Sequence, residues 1–218
     1  MIIFENVTKS FNLGGQRKVI LDRASFTIQQ GQPLGILAPN GTGKTTVINM
    51  MAGLERPDEG AVRRTSRVSF PLGHMGGINS KLTGSENARR AAQLYRYDPD
   101  MVESFATWMS DLGPHMHMPA GTWSTGTRAR FSFSLMLAFE FDFYLIDEGM
   151  PTTTDVAFNK RAMDVLQQRL SRGTAVIVSH MPEVIEKFCG RASVLKHGVL
   201  THYQDLETAR EAYEYKAA

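Results

Sequence analysis

The sequence predicts an α/β fold in which helices cover a mostly parallel β-sheet, with antiparallel strands at the N-terminus and a helical subdomain. Three observations lead to this prediction. Apolar strand-like runs at 141–147 and 174–180 flank a helical pattern at about 156–172. A glycine-rich turn at 38–46 separates an apolar run from another helical pattern, and the segment from about 83 to 118 has helical spacing. Strands that alternate with helices are typical of parallel sheets covered by helices.

The N-terminal part is predicted to be rich in β-strands. The runs IIFENV (2–7) and VILDRASFTI (19–28) contain alternating apolar residues, which indicates half-buried strands. The apolar run LGIL (34–37) predicts another strand. The helical spacing of GKTTVINMMAGL (43–54) predicts a helix that ends at Gly53, with a proline shortly beyond.

The middle of the chain is predicted to change from strand to helix. RVSFPL (67–72) predicts a strand, and the glycine-rich run GHMGGINSK (73–81) predicts a mobile loop. Thr83 is expected to cap the first helix of the subdomain (about 83–118), because Glu86 three residues later can complete a capping box.

Composition restricts the classes of function. A chain of 218 residues is expected to form one domain, 1–218, with the helical subdomain inserted in it. The net charge of +2 argues against a nucleic-acid partner held by bulk charge. Cys189 is the single cysteine, so an intramolecular disulfide is impossible, which fits a reducing cytoplasm. No signal-peptide pattern and no run of ~18 apolar residues is present, so we expect a chain that does not span a membrane but can dock on a membrane protein.

Residues 38–46, APNGTGKTT, match most of the phosphate-binding pattern G-x-x-x-x-G-K-[ST]. Glycines let backbone N–H groups turn toward phosphate oxygens, the lysine reaches the β- and γ-phosphates, and the threonine hydroxyl can bind Mg²⁺. The alternative, a glycine-rich turn without nucleotide, is disfavoured by the strand–turn–helix setting. The candidate ATP-binding residues of this loop are Ala38, Pro39, Asn40, Gly41, Thr42, Gly43, Lys44, Thr45 and Thr46.

Ala38 departs from the pattern, since it replaces the first glycine. An alanine in a turn is costly only where the backbone needs a positive φ. We therefore expect the substitution to be tolerated unless Ala38 adopts such a conformation.

Two carboxylates end the apolar run FYLIDE (143–148). Asp147 is placed to hold Mg²⁺ together with Thr45, directly or through water. Glu148 is then available to orient or deprotonate an attacking water. His180 ends the run TAVIVSH and could reach a γ-phosphate or its water, although a lone histidine is more often structural.

The phosphate loop, the segment WSTGT (123–127) and the FYLIDE strand follow one another as in the ATP-binding-cassette ATPases, which the sequence resembles from residue 2 to about 215. WSTGT stands where that family has its signature, usually LSGGQ. The resemblance implies a P-loop NTPase cassette with a RecA-like core, and a head-to-tail homodimer of C2 symmetry that binds two nucleotides. It also implies that the signature residues act on the ATP of the partner subunit; they are Ser124, Thr125, Gly126 and Thr127.

The resemblance implies roles for three further residues. Phe11 stands where an aromatic ring stacks on adenine, with a core phenylalanine as the alternative. His74 lies near the position of the family's usual loop glutamine and could contact the γ-phosphate or a Mg²⁺-bound water. Asp155 resembles the aspartate of the loop that follows the FYLIDE strand. Thr125 and Thr127 replace the usual glycine and glutamine of the signature, which could slow turnover.

Within that family, the signature STGTRAR, the strand FDFYLIDE and the run GHMGGINSKLTGSEN resemble the cytoplasmic subunits of capsular-polysaccharide exporters. The resemblance implies an ATPase that uses ATP and Mg²⁺ at the cytoplasmic face of the bacterial inner membrane. Its partners would be integral-membrane permease subunits and a second copy of itself, and polysaccharide cargo only indirectly. Three alternatives remain: an ATPase for another export cargo (lipid-linked glycan, teichoic acid or drug), a non-transport P-loop NTPase, and a binding module without catalysis.

Overall fold

The computed structural model describes residues 1–71, 78–147 and 155–215. The chain divides into two compact units. The first unit comprises Met1–Pro71, Phe141–Gly149 and Gly173–Ala218, and the second comprises Leu72–Glu140 and Met150–Arg172. The predicted helical subdomain, about 83–118, lies in the second unit.

The strands and helices follow in chain order. The described strands are β1 (Ile2–Leu13), β2 (Gln16–Ile28), β3 (Leu34–Leu37), β4 (Glu59–Arg64), β5 (Phe143–Asp147), β6 (Thr174–Ser179), β7 (Ala192–Lys196) and β8 (Val199–His202). The described α-helices are α1 (Lys44–Ala52), α2 (Gly84–Tyr95), α3 (Pro99–Ser110), α4 (Thr125–Leu137), α5 (Val156–Leu170), α6 (Pro182–Glu186) and α7 (Leu206–Glu214). Among the described residues, no helix combines the length and the apolar character needed to cross a lipid bilayer.

The first unit contains two β-sheets. A three-stranded antiparallel sheet has the order β2–β1–β4, and a five-stranded sheet has the order β5–β6–β3–β7–β8. Within the larger sheet β8 runs antiparallel to β7, whereas the other neighbouring pairs are parallel. The predicted α/β fold, with a mostly parallel sheet and antiparallel N-terminal strands, is therefore confirmed.

The strand register brings the carboxyl ends of three parallel strands together. Leu37 of β3 pairs with Ser179 of β6, and Asp147 of β5 pairs with Val178 of β6. The phosphate-loop sequence follows β3, and His180 follows β6. Ligands of open α/β sheets bind outside the carboxyl ends of the strands. The register thus places the phosphate loop, Asp147 and His180 at one edge of the sheet.

One hydrophobic core joins both sheets and α1 within the first unit. Phe4, Ile36, Ile48 and Leu145 are buried in it, and each such side chain contributes about 1.5–3 kcal/mol relative to exposure. Every residue of β3, β5 and β6 is buried, which explains why these strands appear in the sequence as continuous apolar runs. Cys189 is also buried, and burial raises the pKa of its thiol to about 12, as expected for a structural cysteine.

The helices of the second unit begin at short polar residues. Thr83 Oγ1 accepts a hydrogen bond from Glu86 N at 3.2 Å, and the Glu86 carboxylate accepts one from Thr83 N at 2.8 Å. The predicted capping box at the start of α2 is therefore confirmed. Asp98 caps α3 in the same way, by accepting hydrogen bonds from two backbone N–H groups of the first turn.

The strand predicted at 67–72 is wrong for its described residues. Only an isolated bridge forms there, between Val68 and Phe143. The Ser69 hydroxyl, rather than a backbone carbonyl, accepts the hydrogen bond from Leu145 N at 2.9 Å. Pro71 has no N–H to donate. The segment therefore lies beside β5 without continuing the backbone ladder.

Strand β4 (Glu59–Arg64) begins with a close approach to β1 at Gly60. Gly60 at its start has φ 78°, and a Cβ at this position would lie 2.3 Å from the carbonyl oxygens of Glu5 and Asn6. Only glycine allows this approach to β1. Gly60 is thus the residue that lets β4 pair with the irregular part of β1.

Candidate nucleotide site

The phosphate loop connects β3 to α1 through two glycines in left-handed conformations. Gly41 has φ 78° and Gly43 has φ 101°. A Cβ at Gly43 would lie 2.5 Å from Ile20 Cγ2, whereas a Cβ at Gly41 would meet only Lys18 Nζ, at 3.8 Å. Gly43 is therefore required both by its backbone conformation and by the close approach of β2.

Ala38 fits the backbone of this loop. It is buried, and it is not among the described non-glycine residues with positive φ. Its N–H donates a hydrogen bond to Ser179 O at 3.1 Å. The position thus continues the pairing of β3 with β6, and an alanine meets the condition under which we expected it to be tolerated.

Lys44 lies inside the loop and is only 6% exposed. Its ammonium donates hydrogen bonds to the carbonyl oxygens of Ala38 and Pro39, each at 3.2 Å, and to Asn40 Oδ1 at 2.9 Å. Thr42 closes the same turn by donating from its hydroxyl to Pro39 O at 2.7 Å. These contacts hold a positive charge at the N-terminus of α1, where the helix dipole also favours an anion.

Thr45 and Asp147 meet although they belong to separate motifs. The Thr45 hydroxyl donates a hydrogen bond to Asp147 Oδ2 at 2.9 Å. Asp147 is 5% exposed at the end of β5. A hydroxyl and a carboxylate supply the hard oxygen donors that Mg²⁺ prefers, so these two residues fit the predicted metal site.

A pocket of about 440 Å³ lies beside the phosphate loop. Phe11 forms part of its wall and is 38% exposed, so it is not the core phenylalanine of the alternative interpretation. The Lys9 ammonium lies 5.1 Å from the centre of its ring. The pocket is lined by Phe11, Lys18, Ile20, Asn40, Gly41, Gly43, Lys44, Thr45 and Thr46.

Lys18 and Ile20, which line this pocket from β2, were not predicted from the sequence. Neither belongs to a motif. Their separation of two residues places both side chains on one face of the strand. That periodicity was available in the sequence, but nothing in it indicates that this face of β2 turns toward the phosphate loop.

Of the remaining predicted site residues, His180 is among the residues that the structure describes. His180 is half-buried directly after β6, and its carbonyl accepts a hydrogen bond from the Tyr213 hydroxyl at 3.0 Å. Its place in the register puts it at the same edge as Asp147. His74 and Glu148 lie outside the described residues, so their predicted roles remain predictions.

The signature segment forms the start of α4 in the second unit. Ser124 is the N-cap, and its Oγ accepts a hydrogen bond from Thr127 N at 3.1 Å and lies 2.8 Å from Thr127 Oγ1. Ser124, Thr125 and Gly126 are exposed. A Cβ at Gly126 would meet only Ser124 Oγ, at 3.9 Å. The fold of the described chain therefore does not itself require glycine there.

Asp155 caps α5 and binds the signature helix. Its Oδ1 accepts a hydrogen bond from Phe158 N at 2.9 Å, and its Oδ2 forms an ion pair of 3.0 Å with Arg130. The backbone hydrogen bond from Phe158 is the main cause that lowers the pKa of this carboxyl, and the charge of Arg130 adds to it. Asp155 was predicted as a loop residue, and neither of these contacts was predicted from the sequence.

Arg130 joins three helices of the second unit. From α4 it donates to the carbonyl oxygens of Ser110 and Asp111 at the end of α3, and it pairs with Asp155 at the start of α5. Its guanidinium carbon also lies 5.3 Å from the centre of the Phe158 ring. Its position in STGTRAR was the only signal in the sequence.

Comparison with known proteins shows close similarity to one family. The model of the family described as ABC transporter matches residues 21–153. The chain is 36% identical to the ATP-binding protein BexA of Haemophilus influenzae over 98% of both chains. It is 34% identical to the capsule polysaccharide export ATP-binding protein CtrD of Neisseria meningitidis serogroup B, again over 98% of both. Among solved structures, a dimeric post-hydrolysis state of the ATP-binding cassette MJ0796, bound to ADP and Pi, has a TM-score of 0.75 and 22% identity, and the match covers 94% of this chain and 99% of that one.

Proposed function

The chain belongs to the ABC transporter family, and we propose that it is the ATP-hydrolysing subunit of an exporter of capsular polysaccharide. The observation that carries the proposal is the 34% identity to a capsule polysaccharide export ATP-binding protein over 98% of both chains. The similarity extends over nearly the whole length of both chains, and not only over the nucleotide motifs.

The nucleotide site supports ATP as the substrate. The adenine ring stacks on the exposed face of Phe11, and the phosphates occupy the loop formed by Gly41, Gly43 and Lys44. Base–aromatic stacking contributes about 1–3 kcal/mol per base. The buried charge of Lys44 and the N-terminus of α1 both favour the triphosphate.

Thr45 and Asp147 hold the Mg²⁺ that accompanies ATP. When bound, the ion neutralises charge on the β- and γ-phosphate oxygens. The chain's own contribution is to keep the two oxygen donors together before the nucleotide arrives, as their hydrogen bond of 2.9 Å indicates. This preorganisation reduces the ordering that nucleotide binding would otherwise require.

Glu148 accepts the proton of the attacking water, and His180 contacts the γ-phosphate or that water. Two observations support these roles: Glu148 directly follows Asp147 in the sequence, and His180 directly follows β6, which pairs with β5 up to Asp147. A general base must lie within hydrogen-bond reach of the proton that it removes. The proposal also treats residues 1–218 as a single domain and gives His74 a contact with the γ-phosphate or a Mg²⁺-bound water.

Two copies of the chain form a head-to-tail dimer around two nucleotides. The exposed N-terminus of α4 presents Ser124, Thr125, Gly126 and Thr127 to the γ-phosphate on the partner subunit. The open space around Gly126 supports this role. Within the described chain a side chain would fit there, and its absence leaves that space for an approaching phosphate. Asp155 holds the start of α5 next to this helix through its ion pair with Arg130.

The dimer drives transport through integral-membrane permease subunits at the cytoplasmic face of the bacterial inner membrane. The chain contacts polysaccharide only indirectly, and nucleic acid is not a partner. ATP favours the closed dimer because the γ-phosphate is contacted by both subunits only in that state, and hydrolysis removes this difference in affinity.

The variant Glu148→Gln tests the dimer. It should bind ATP, form a stable dimer with Mg²⁺ and turn over very slowly, as measured by light scattering and phosphate release. The double variant Glu148→Gln with Lys44→Ala is the matched control, since it should lose nucleotide binding and remain monomeric. A single variant that stays monomeric at saturating ATP and Mg²⁺ would contradict the head-to-tail model.

Deletion of the gene in its own organism tests the cargo. Surface polysaccharide should disappear and accumulate inside the cell, and the wild-type chain should restore export whereas Lys44→Ala should not. Unchanged surface polysaccharide in a strain that makes a capsule would reject this cargo and favour another exported substrate, while the ATPase assignment would stand.

A further inference from the structure

We propose that the first unit carries a second ligand site, a pocket that binds a small molecule bearing a phosphate monoester. The pocket has a volume of about 290 Å³. The residues that carry the argument are Phe26, Thr27, Arg191, His202, Tyr203 and Gln204. None of them belongs to the nucleotide site or to the signature segment.

The pocket lies at the opposite edge of the large sheet from the phosphate loop. Its wall includes Leu34, the first residue of β3, whereas the loop follows the last residue, Leu37. Three residue steps along a strand span about 10 Å. Arg191 directly precedes β7, which pairs in parallel with β3. The two sites share no lining residue, so both can be occupied together.

Arg191 supplies a positive charge that the described chain does not neutralise. The residue is half-buried, and its backbone is fixed because its carbonyl accepts a hydrogen bond from Gly35 N at 3.2 Å. Within 1–71, 78–147 and 155–215, no hydrogen bond or ion pair engages its guanidinium. The pocket wall formed by these residues contains no aspartate or glutamate. A guanidinium in such a setting binds phosphate oxygens through two parallel hydrogen bonds.

His202 adds a second hydrogen-bonding side chain to the pocket. Its Nδ1 lies 2.7 Å from the hydroxyl of Ser193, the fully buried residue that pairs with it across β7 and β8. Its ring also packs at 5.4 Å from the ring of Phe26. Burial, with the charge of Arg191, lowers the pKa of His202, which favours the neutral imidazole. With the Ser193 hydroxyl as donor to Nδ1, Nε2 carries the ring proton and can donate it to a ligand.

The arrangement of groups favours a phosphate monoester. A tetrahedral phosphate offers three terminal oxygens, which match the Arg191 fork, His202 Nε2 and the Thr27 hydroxyl or Gln204 amide. The rings of Phe26 and Tyr203 provide an apolar wall for the organic part. The volume lies near the lower end of the ~300–1,000 Å³ usual for small-molecule sites, which suits a monosaccharide or nucleoside carrying one phosphate.

Calorimetric titration of the full-length chain, saturated with MgADP to fill the nucleotide site, tests the proposal. The probes are glucose 1-phosphate, AMP and the carboxylate gluconate. We expect saturable binding of at least one phosphate ester, and the two esters distinguish a sugar from a nucleoside source. Arg191→Gln should weaken binding by about tenfold or more, because it removes a charge-assisted contact. Arg172→Gln is the matched control, since that side chain is 81% exposed in the other unit, and it should leave the affinity unchanged.

Two further results would overturn the proposal. One is the absence of saturable binding of both phosphate esters to the wild-type chain at millimolar concentration. The other is equal affinity for gluconate, which would reject the assignment to phosphate. If Arg191→Gln does not fold, the ring resonances of His202 in the wild-type chain, assigned with His202→Gln, provide the readout. They should shift on addition of the bound ester, and unchanged resonances would also overturn the site.

Discussion

The Thr45 hydroxyl donates a hydrogen bond of 2.9 Å to Asp147 Oδ2, and the two residues are 102 positions apart in the sequence. Thr45 lies in the first turn of α1, and Asp147 ends β5. The contact therefore joins the two motifs from which the sequence predicts metal binding. Because both groups are oxygen donors, the same pair that stabilises the fold can pass its oxygens to a divalent cation.

Thr45→Val should selectively remove the contribution of Mg²⁺ to ATP affinity. Valine has a similar shape but no oxygen, and the loss of one oxygen donor should weaken MgATP binding by about tenfold, or ~1.4 kcal/mol. Fluorescence titration with ATP in Mg²⁺ and in EDTA measures the difference. Thr45→Ser retains the hydroxyl and should behave as the wild type; equal Mg²⁺ dependence in all three chains would contradict the metal assignment.

Gly43→Ala should be more harmful than Gly41→Ala. Both positions have positive φ, so both substitutions introduce backbone strain of about 1–3 kcal/mol. Only the Cβ at Gly43 would also overlap Ile20. Thermal unfolding should rank the wild type above Gly41→Ala and Gly41→Ala above Gly43→Ala. The double variant Gly43→Ala with Ile20→Ala removes the overlap but creates a cavity. Similar stability of Gly41→Ala and Gly43→Ala would show that the overlap with Ile20 does not affect stability.

Phe11→Ala should reduce ATP affinity without much loss of stability. The ring is 38% exposed at the pocket wall, so little core packing is lost, whereas the adenine loses a stacking partner worth about 1–3 kcal/mol. Titration with ATP and a melting curve separate the two effects. Phe11→Tyr keeps the ring and is the control. A large fall in melting temperature with unchanged affinity would instead indicate a core role.

Arg130→Lys should destabilise the second unit even though the charge is kept. A lysine cannot reach the carbonyls at the end of α3 and the Asp155 carboxylate at the same time, so the cost should be about 1–3 kcal/mol. Asp155→Asn retains an N-cap oxygen and removes only the charge, so it should cost less than Asp155→Ala. Urea unfolding of the four chains gives these differences, and equal stability of the asparagine and alanine variants would show that Asp155 does not act as a cap.

Acid should destabilise the first unit through Asp58. The backbone N–H of Ser10 donates to Asp58 Oδ2 at 2.7 Å, and with the Lys9 ammonium it holds the pKa of this carboxyl below its usual 3.8. A lowered folded-state pKa means that the stabilisation is complete above about pH 4 and is lost as the pH falls through the folded-state value. Urea unfolding at pH 7, 4 and 3 should show that the free energy of unfolding falls with pH. This fall should be smaller for Asp58→Asn than for the exposed control Asp22→Asn. Equal pH dependence of both variants would contradict the role of Asp58.

The elements that could be predicted from the sequence are those whose signal is local. The apolar runs of β5 and β6, the capping box at Thr83 and the glycines of the phosphate loop each depend on neighbouring residues. The conformation of the segment around Val68 could not be predicted. It depends on the Ser69 hydroxyl, which accepts a hydrogen bond from Leu145 N of a strand far away in the sequence. For the same reason Lys18 was missed at the nucleotide site, since only the packing of β2 turns its side chain toward the loop.

The buried thiol of Cys189 has a practical consequence for measuring motion in this molecule. Since it is the single cysteine of the chain and its pKa is raised to about 12, almost no thiolate is present at neutral pH to react with maleimide or methanethiosulfonate labels. A cysteine introduced at an exposed site, such as the 76% exposed Leu94 on α2, would therefore be the only cysteine that takes up a spin label, and Cys189 need not be replaced first. Pulsed electron resonance between two such labels would report the separation of two subunits as nucleotide binds and is hydrolysed.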